Sequence, residues 1–220
     1  MLHTVIFIGR SGCGKGTQAD LFKNRIARLD PDKRQILYIE TGEHFRKFIR
    51  GEGFSSKLSK KIYEKDERQP DFLACWMWGG MLVEELEPDT HIVFDGTPRS
   101  LSEAGVLTTA LDFYKRERPV VIYINVSNKW SDERLLARGR YDDSSLSKIN
   151  KRLKWFDDEV LPAVEYLKKN PFYKFIEVNG EQSIAKVHVD IVAAYDPFDQ
   201  APVRGPERPL RASRRQGHSE

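Results

Sequence analysis

The chain has 220 residues, is 40% apolar and carries a formal charge of +3, which suits one domain with a substantial core and does not demand a nucleic acid or an anionic membrane as partner. Much of the positive surplus sits at the end, where Arg204, Arg208, Arg211, Arg214 and Arg215 outnumber Asp199, Glu207 and Glu220. Two cysteines cannot build a disulfide framework, no stretch is both apolar and long enough to span a bilayer, and Met1 to Thr4 pass into a strand pattern without a secretory leader, so a soluble, reduced, cytoplasmic protein is expected, acting as a monomer.

Short β-branched or aromatic runs recur at Val5–Ile8, Gln35–Ile39, Ile92–Phe94, Val120–Ile124 and Phe175–Val178. Each is too short for a helix and mostly apolar throughout, as strands of a parallel sheet covered on both faces are. Helical spacing fills the gaps: 16–29, 43–50, 55–65, 71–86, 102–115, 131–138, 146–169 and 183–195. This alternation predicts an α/β fold. Ser102 precedes an apolar face of Val106, Leu107, Ala110, Leu111 and Tyr114 and is the expected N-cap of its helix. From Pro197 onward, four prolines and few large apolar groups predict a disordered tail with no role or a tether for an acidic partner.

The first strand feeds Gly9-Arg10-Ser11-Gly12-Cys13-Gly14-Lys15-Gly16-Thr17-Gln18. Glycines let a backbone fold around an anion with its N–H groups inward, Lys15 adds a mobile positive charge, and the Thr17 hydroxyl can reach a magnesium ion. Phosphate transfer or hydrolysis is therefore the leading class. Cys13 reads either as a redox switch or as a small residue tolerated beside a phosphate, the latter favoured because nothing marks a paired thiol. Thr41-Gly42-Glu43-His44-Phe45-Arg46 follows the second strand, Asp95-Gly96-Thr97-Pro98-Arg99 the third, and Arg138-Gly139-Arg140-Tyr141-Asp142-Asp143 the helix after the fourth, with Arg152 on the next helix. In a doubly wound sheet these segments leave the carboxyl ends of strands, where such folds bind ligands. Guanidinium groups sharing a crevice repel one another unless anions lie between them, so the arginine set argues for several phosphates.

With these motifs the chain resembles the adenylate kinase family of nucleoside monophosphate kinases over residues 1–195. That family's loop has the form G-x-P-G-x-G-K-G-T-Q, with Ser11 here in place of proline. Its T-G-D-x-x-R, D-G-F-P-R, R-G…R-x-D-D and K-R-L elements are similar to Thr41–Arg46, Asp95–Arg99, Arg138–Asp143 and Lys151–Leu153, and Val178–Ile184 is similar to its last strand and loop.

The resemblance implies a P-loop doubly wound sheet of five parallel strands flanked by helices, occupying 1–196. It also implies a helical monophosphate-binding insertion at 41–75, a minimal lid at 138–143 and a basic tail at 197–220. It implies reversible transfer of the γ-phosphoryl group of ATP to a nucleoside monophosphate, most readily AMP, with Mg2+ as cofactor. Lys15, Arg99, Arg138, Arg140 and Arg152 would be catalytic. ATP would lie on Gly9, Ser11, Gly12, Cys13, Gly14, Lys15, Gly16, Thr17, Gln18, Arg138 and Gln182. The monophosphate would lie on Thr41, Gly42, Phe45, Arg46, Gly96, Arg99, Glu103, Arg140 and Arg152. Thr17 would bind the metal directly and Asp95 through water, with Glu43 assisting.

The physical reading of the arginines agrees, because a phosphoryl group in flight offers the protein little but charge to stabilise. Two departures stand out. Only Gly139 separates Arg138 from Arg140, a lid so short that weaker water exclusion and some ATP hydrolysis are expected. Glu103 stands where adenylate kinases carry a base-reading glutamine. An ionised carboxylate only accepts, which suits guanine, while adenine would require a protonated carboxyl; alternatively the helix is shifted and Glu103 faces solvent. GMP, CMP or UMP are thus the alternative acceptors. Asp142 and Asp143 read equally as lid contacts or as caps. Trp76, Met77 and Trp78 are expected in the core or pocket wall, and His44 as structural.

A nucleotide-binding regulatory protein without turnover is the competing class, weakened by the retained Lys15 and arginines, whose mutual repulsion would have no substrate to balance it. A switch-type GTPase is disfavoured because no N-K-x-D motif occurs.

Overall fold

The computed structural model describes residues 1–65, 67–138 and 146–200, the side chains of Arg138, Leu146 and residues 197–200 excepted. Five strands, β1 (Thr4–Gly9), β2 (Ile36–Glu40), β3 (His91–Asp95), β4 (Val120–Asn125) and β5 (Lys174–Asn179), form one sheet in the order β2-β3-β1-β4-β5. Every pairing is parallel. Each expected strand is present: four are longer by one or two residues where the ladder extends past the apolar run, and β2 is shifted by one residue from Gln35–Ile39 to Ile36–Glu40. β1 runs between β3 and β4, with Val5 opposite both Val93 and Val120. The chain therefore leaves β1 toward one side and β4 toward the other, the topology that opens a crevice at the carboxyl ends.

Helices cover both faces, which is why the strands show almost no polar alternation. On one face Ile6, Ile39 and Phe94 pack with Trp78 and Leu82 of α4 (Asp71–Glu85), Leu107 and Leu111 of α5 (Leu101–Phe113) and Leu167 of α8 (Leu161–Lys169). On the other, Phe7, Val93 and Ile122 pack with Phe22 and Ile26 of α1 (Lys15–Leu29) and with Ile191 of α9 (Ile184–Gln200). Between β2 and β3 the chain adds α2 (Thr41–Phe48) and α3 (Phe54–Glu64) before α4. Phe45 of α2 joins Leu73, Ala74 and Met77 of α4 in a small apolar cluster of its own. That cluster ties the insertion to the body of the protein.

Four expectations are corrected. The cap of α5 is Ser100, whose hydroxyl accepts from the Glu103 N–H, because the turn after Arg99 delivers the chain into the helix two residues before Ser102. The single helix expected over 146–169 is α7 (Leu146–Trp155) and α8 joined by a π-helical turn, Phe156–Val160; π turns often mark functional positions in helices. Trp76 is 59% exposed, against 1% for Trp78 and 8% for Met77, and rests on Phe48 with ring centroids 5.6 Å apart. Finally, α9 continues through Pro197 to Gln200, so the tail boundary lies later than the first proline; residues 201–220 lie outside the described part.

Candidate active site

At the carboxyl edge of the sheet a cleft of about 760 Å³ opens between the turn after β1, the ends of β2 and β3, and α7, a size typical of small-molecule sites. Its floor is the glycine-rich turn that follows β1. Gly12 and Gly14 adopt φ of +85° and +88°, a region that costs glycine nothing and other residues a strain. A Cβ on Gly12 would lie 3.1 Å from the Ser131 carbonyl on α6 (Asn128–Arg138). Gly14 leads directly into α1 with no side-chain cap. The first N–H groups of α1, with the positive end of its dipole, are thus left for an anion at the cleft.

Cations converge above that turn. A Cβ placed on Gly42 would lie 3.3 Å from Arg46 Nη1 and 3.3 Å from Arg99 Nη2, so both guanidinium groups meet over the start of α2. A Cβ on Gly96 would lie 3.4 Å from Lys15 Cε and from Arg99 Nη2. Arg152 reaches the same cleft from α7. Burial pushes the Arg99 guanidinium below its ordinary range, Glu103 and Asp95 oppose that shift, and neighbouring Arg152 and Arg46 add to it. Like charges held this close are what a polyanion would relieve. The Arg99 side chain is fixed by its Nε donating to the Gly96 carbonyl at 2.8 Å, and Arg46 by an ion pair of 3.0 Å with Glu40.

Asp95 ends β3 beside the turn. Its Oδ2 accepts from the Tyr38 hydroxyl at 3.1 Å, while its buried Oδ1 has no protein partner. A Cβ on Gly16 would lie 3.0 Å from Asp95 Oδ2, so the carboxylate abuts the residue next to Thr17. A hard hydrated cation between the Thr17 hydroxyl and the open Asp95 oxygen fits this donor set. The Tyr38 hydroxyl, pushed up by burial and by Asp95, stays a donor.

Most expected site residues line the cleft: Gly9, Ser11, Gly12, Gly14, Lys15, Gly16, Thr17, Gly42, Phe45, Arg46, Asp95, Gly96, Arg99, Glu103 and Arg152. Several expected side chains are engaged with protein instead. Gln18 is 2% exposed and its Nε2 donates to the Ile184 carbonyl at 2.8 Å, pinning α1 to α9. Thr41 and Thr97 hydrogen bond to each other through their hydroxyls, joining the turns after β2 and β3. Gln182 donates to the Asn179 carbonyl and to Asp190. Cys13 is 5% exposed, and burial raises its thiol, which removes the redox-switch reading. Glu43 pairs with Lys47 at 2.8 Å and does not line the cleft. Glu103 is fully buried, which excludes a solvent-facing position. Arg138 ends α6, and Gly139, Arg140, Tyr141, Asp142 and Asp143 lie outside the described residues, as does the expected lid.

Some cleft residues were not among the expected site residues. Tyr38, Glu40, Tyr63, Arg68 and Arg134 also line the cleft. Arg134 could have been found, because it lies one helical turn after Trp130 and one before Arg138; its guanidinium rests 4.0 Å above the Trp130 ring. Among the described residues, no group of three or more His, Cys, Asp or Glu could hold a metal by themselves, and no helix is long and apolar enough to cross a membrane.

Comparison with known proteins agrees with this geometry. The family model described as Adenylate kinase matches residues 7–172. An adenylate kinase of Flavobacterium psychrophilum is 32% identical over 194 residues, covering 85% of this chain and 94% of the relative. One of Prochlorococcus marinus strain SARG is 29% identical over 88% of this chain and 99% of its own length. One of Azobacteroides pseudotrichonymphae is 29% identical over 89% and 98% respectively.

Proposed function

The chain belongs to the adenylate kinase family, and on that premise we propose that it transfers the γ-phosphoryl group of ATP reversibly to AMP, yielding two molecules of ADP. The observation that carries this reading is the meeting of Arg46, Arg99 and Lys15 between Gly42 and Gly96, joined in the same cleft by Arg152. One phosphate on the glycine turn needs only Lys15 and the α1 amides. The arginines have work only if a second phosphate faces the first.

In this reading the donor's β and γ phosphates lie on the amides of Gly12 to Thr17 with Lys15 beside them. Arg46 and Arg99 hold the acceptor phosphate, each able to do so bidentately. An acceptor oxygen then attacks the γ phosphorus in line, and the bond to the β–γ bridging oxygen breaks as the new one forms. Acceptor phosphates are already anionic, so no side chain has to remove a proton. Arg152 and Lys15 stabilise the charge spread over the equatorial oxygens; Arg138 and Arg140 are assigned the same task by the family motif. Thr17, and Asp95 through water, would hold a bound Mg2+, which would offset the charge of the donor phosphates. The reaction uses free nucleotides, which are available to a monomer in the cytoplasm, and the free thiols Cys13 and Cys75 suit a reducing compartment.

A coupled assay with ATP, Mg2+ and each nucleoside monophosphate tests the proposal. ADP formation that requires a nucleoside monophosphate and is fastest with AMP is the expected result. Phosphate release without any diphosphate product from the acceptor would overturn it, as would nucleotide binding with no product at all.

A further inference from the structure

Glu103 forms part of the cleft wall, yet it is 0% exposed and both its oxygens are in use. Oε2 accepts the backbone N–H of Arg99 at 2.7 Å. Oε1 accepts the indole N–H of Trp78, from the middle of α4, at 3.0 Å. Both partners are obligate donors, since neither an amide N–H nor an indole N–H can accept. Two such donors at opposite ends of one side chain require an acceptor at each end, and only a carboxylate supplies that. A glutamine would present its NH2 to one of them.

The contact continues on both sides. The Glu103 N–H donates to Ser100 Oγ at 3.1 Å, the Ser100 hydroxyl donates to Asp71 Oδ1 at 2.9 Å, and Asp71 accepts from Arg68 Nη1 at 2.5 Å. Arg68 in turn faces Glu159 of the π-helical turn at 3.8 Å. The backbone of Arg99 is thereby tied through Glu103 to Trp78, and the adjoining Ser100 cap to Asp71, both on α4. Arg99 itself is the residue whose guanidinium must meet that of Arg46 over Gly42.

We propose that Glu103 is a positioning residue that holds the Arg99 backbone against Trp78, and that it does not read the acceptor base. This rests on the phosphotransfer reading above. The position that would discriminate adenine from guanine in a glutamine-bearing relative is occupied here by internal structure. The Gln69 amide in the same wall is likewise engaged, donating to the Ser59 carbonyl at 2.9 Å and accepting from its hydroxyl at 2.8 Å. Discrimination between a 6-amino and a 6-oxo purine is therefore weak at residue 103, and AMP and GMP respond alike to its replacement.

The test uses E103Q, W78F and the double variant in the full chain. Steady-state constants are measured with AMP, GMP and ATP, the Kd of AMP by calorimetry, and thermal stability alongside. E103Q sets an NH2 group against one of the two donors, and a buried donor left unmet is costly. The KM of AMP and of GMP should rise together by about tenfold, with that of ATP changed by less than about twofold. Adding W78F removes the competing indole, lets the amide oxygen take the Arg99 N–H, and should return both acceptors to within about threefold of W78F alone.

An E103Q enzyme that gains AMP turnover relative to GMP would overturn the proposal, because it would mean that residue 103 meets the base. Failure of W78F to rescue would also overturn it. So would a loss of thermal stability in E103Q with no change in acceptor KM or Kd, which would make the contact purely structural. Should the wild type bind AMP and turn over no acceptor, the kinase reading fails, and the calorimetric Kd of AMP across the variants still decides whether Glu103 positions Arg99.

Discussion

The two edges of one sheet handle buried charge in opposite ways. At the amino edge, charged and polar groups are set against one another, although the buried His91 Nε2 makes no hydrogen bond of good geometry. The His3 N–H donates to His91 Nδ1 at 2.9 Å and His3 Nδ1 meets the Tyr195 hydroxyl at 2.7 Å. His91 Nε2 faces Asp30 Oδ2 at 3.4 Å, and Asp30 also binds the Arg34 N–H at 2.7 Å and its guanidinium through both oxygens. Arg116, pushed down to about 10 by burial, donates to Thr4 Oγ1 and the His3 carbonyl. At the carboxyl edge the pattern reverses: cations face cations over Gly42 and Gly96, and the Asp95 Oδ1 is buried with no protein partner. One edge closes on itself, and the other is complete only when a ligand arrives. Stability should depend on the first and turnover on the second.

The strongest way to break that separation is at the carboxyl edge. Lys15→Ala removes the lysine of the glycine turn, and transfer should fall by about 1,000-fold. Thermal stability should stay the same or rise, since one member of a repelling cluster is gone. A melting temperature that falls by many degrees would show that the cations of this edge are structural after all. Arg99→Ala comes next. It should raise the KM for the acceptor by about 100-fold while moving the KM for ATP by only a few fold. Equal losses for both substrates would mean that Arg99 does not belong to one half of the cleft.

How much of this could be read from the chain follows the same division. The glycine turn, Asp95, Arg46, Arg99 and Arg152 were legible because phosphate chemistry fixes residue types at short local spacings, and the strands because a doubly covered sheet demands apolar runs. Contacts made over long sequence distances were not legible. Nothing near Glu103 announces Trp78, which lies on another helix, and nothing near Gln18 announces the Ile184 carbonyl. Ser100 and Ser102 are equally good caps by type. The choice between them is made by the turn that Arg99 and Gly96 form, a tertiary fact. The His3–His91–Asp30 network joins residues from three separate parts of the chain and left no trace in the spacing at all.

That network supplies a pH test of the amino edge. Because His91 Nδ1 accepts from His3, its proton sits on Nε2, and charging the ring would put a second donor against the His3 N–H. Burial, the leading cause, holds the imidazole below its ordinary 6.5. The unfolded chain therefore takes up a proton there before the folded one does. The resulting stability is fully present above about pH 6.5 and is lost as pH falls through that value. His188, lowered by burial and by Arg25 and Arg28, adds a slope of the same sign. Asp30 is held well below the carboxylate range, first by its bonds to Arg34, so its contribution is lost only at more acid pH. H91N keeps an acceptor for the His3 N–H while removing the titration. Its melting temperature should be lower by about 3 °C near neutrality and should vary less between about pH 7 and pH 5 than that of the wild type. An unchanged slope would assign the acid sensitivity to other groups.

The smallest expected effect lies where the two modes meet within one side chain. Asp95 has one oxygen held by Tyr38 at 3.1 Å and the other buried with no protein partner, and the Tyr38 ring is itself covered by the Lys23 ammonium 3.5 Å from its centre. The hydroxyl holds the carboxylate by Oδ2, the oxygen beside Gly16 of the glycine turn, and so fixes where the unpartnered Oδ1 lies. Tyr38→Phe leaves the ring and its cation in place and releases only the carboxylate. One hydrogen bond acting through a carboxylate on a hydrated ion should weaken the affinity for Mg2+ of the nucleotide-bound protein by about threefold, with the metal-free affinity for ATP unchanged. Calorimetric Mg2+ titration of the ADP complex reads the first quantity, and ATP titration in the presence of a chelator reads the second. A variant that loses metal-free ATP affinity instead would mean that Tyr38 supports the glycine turn, and that the unpartnered oxygen of Asp95 owes nothing to the held one.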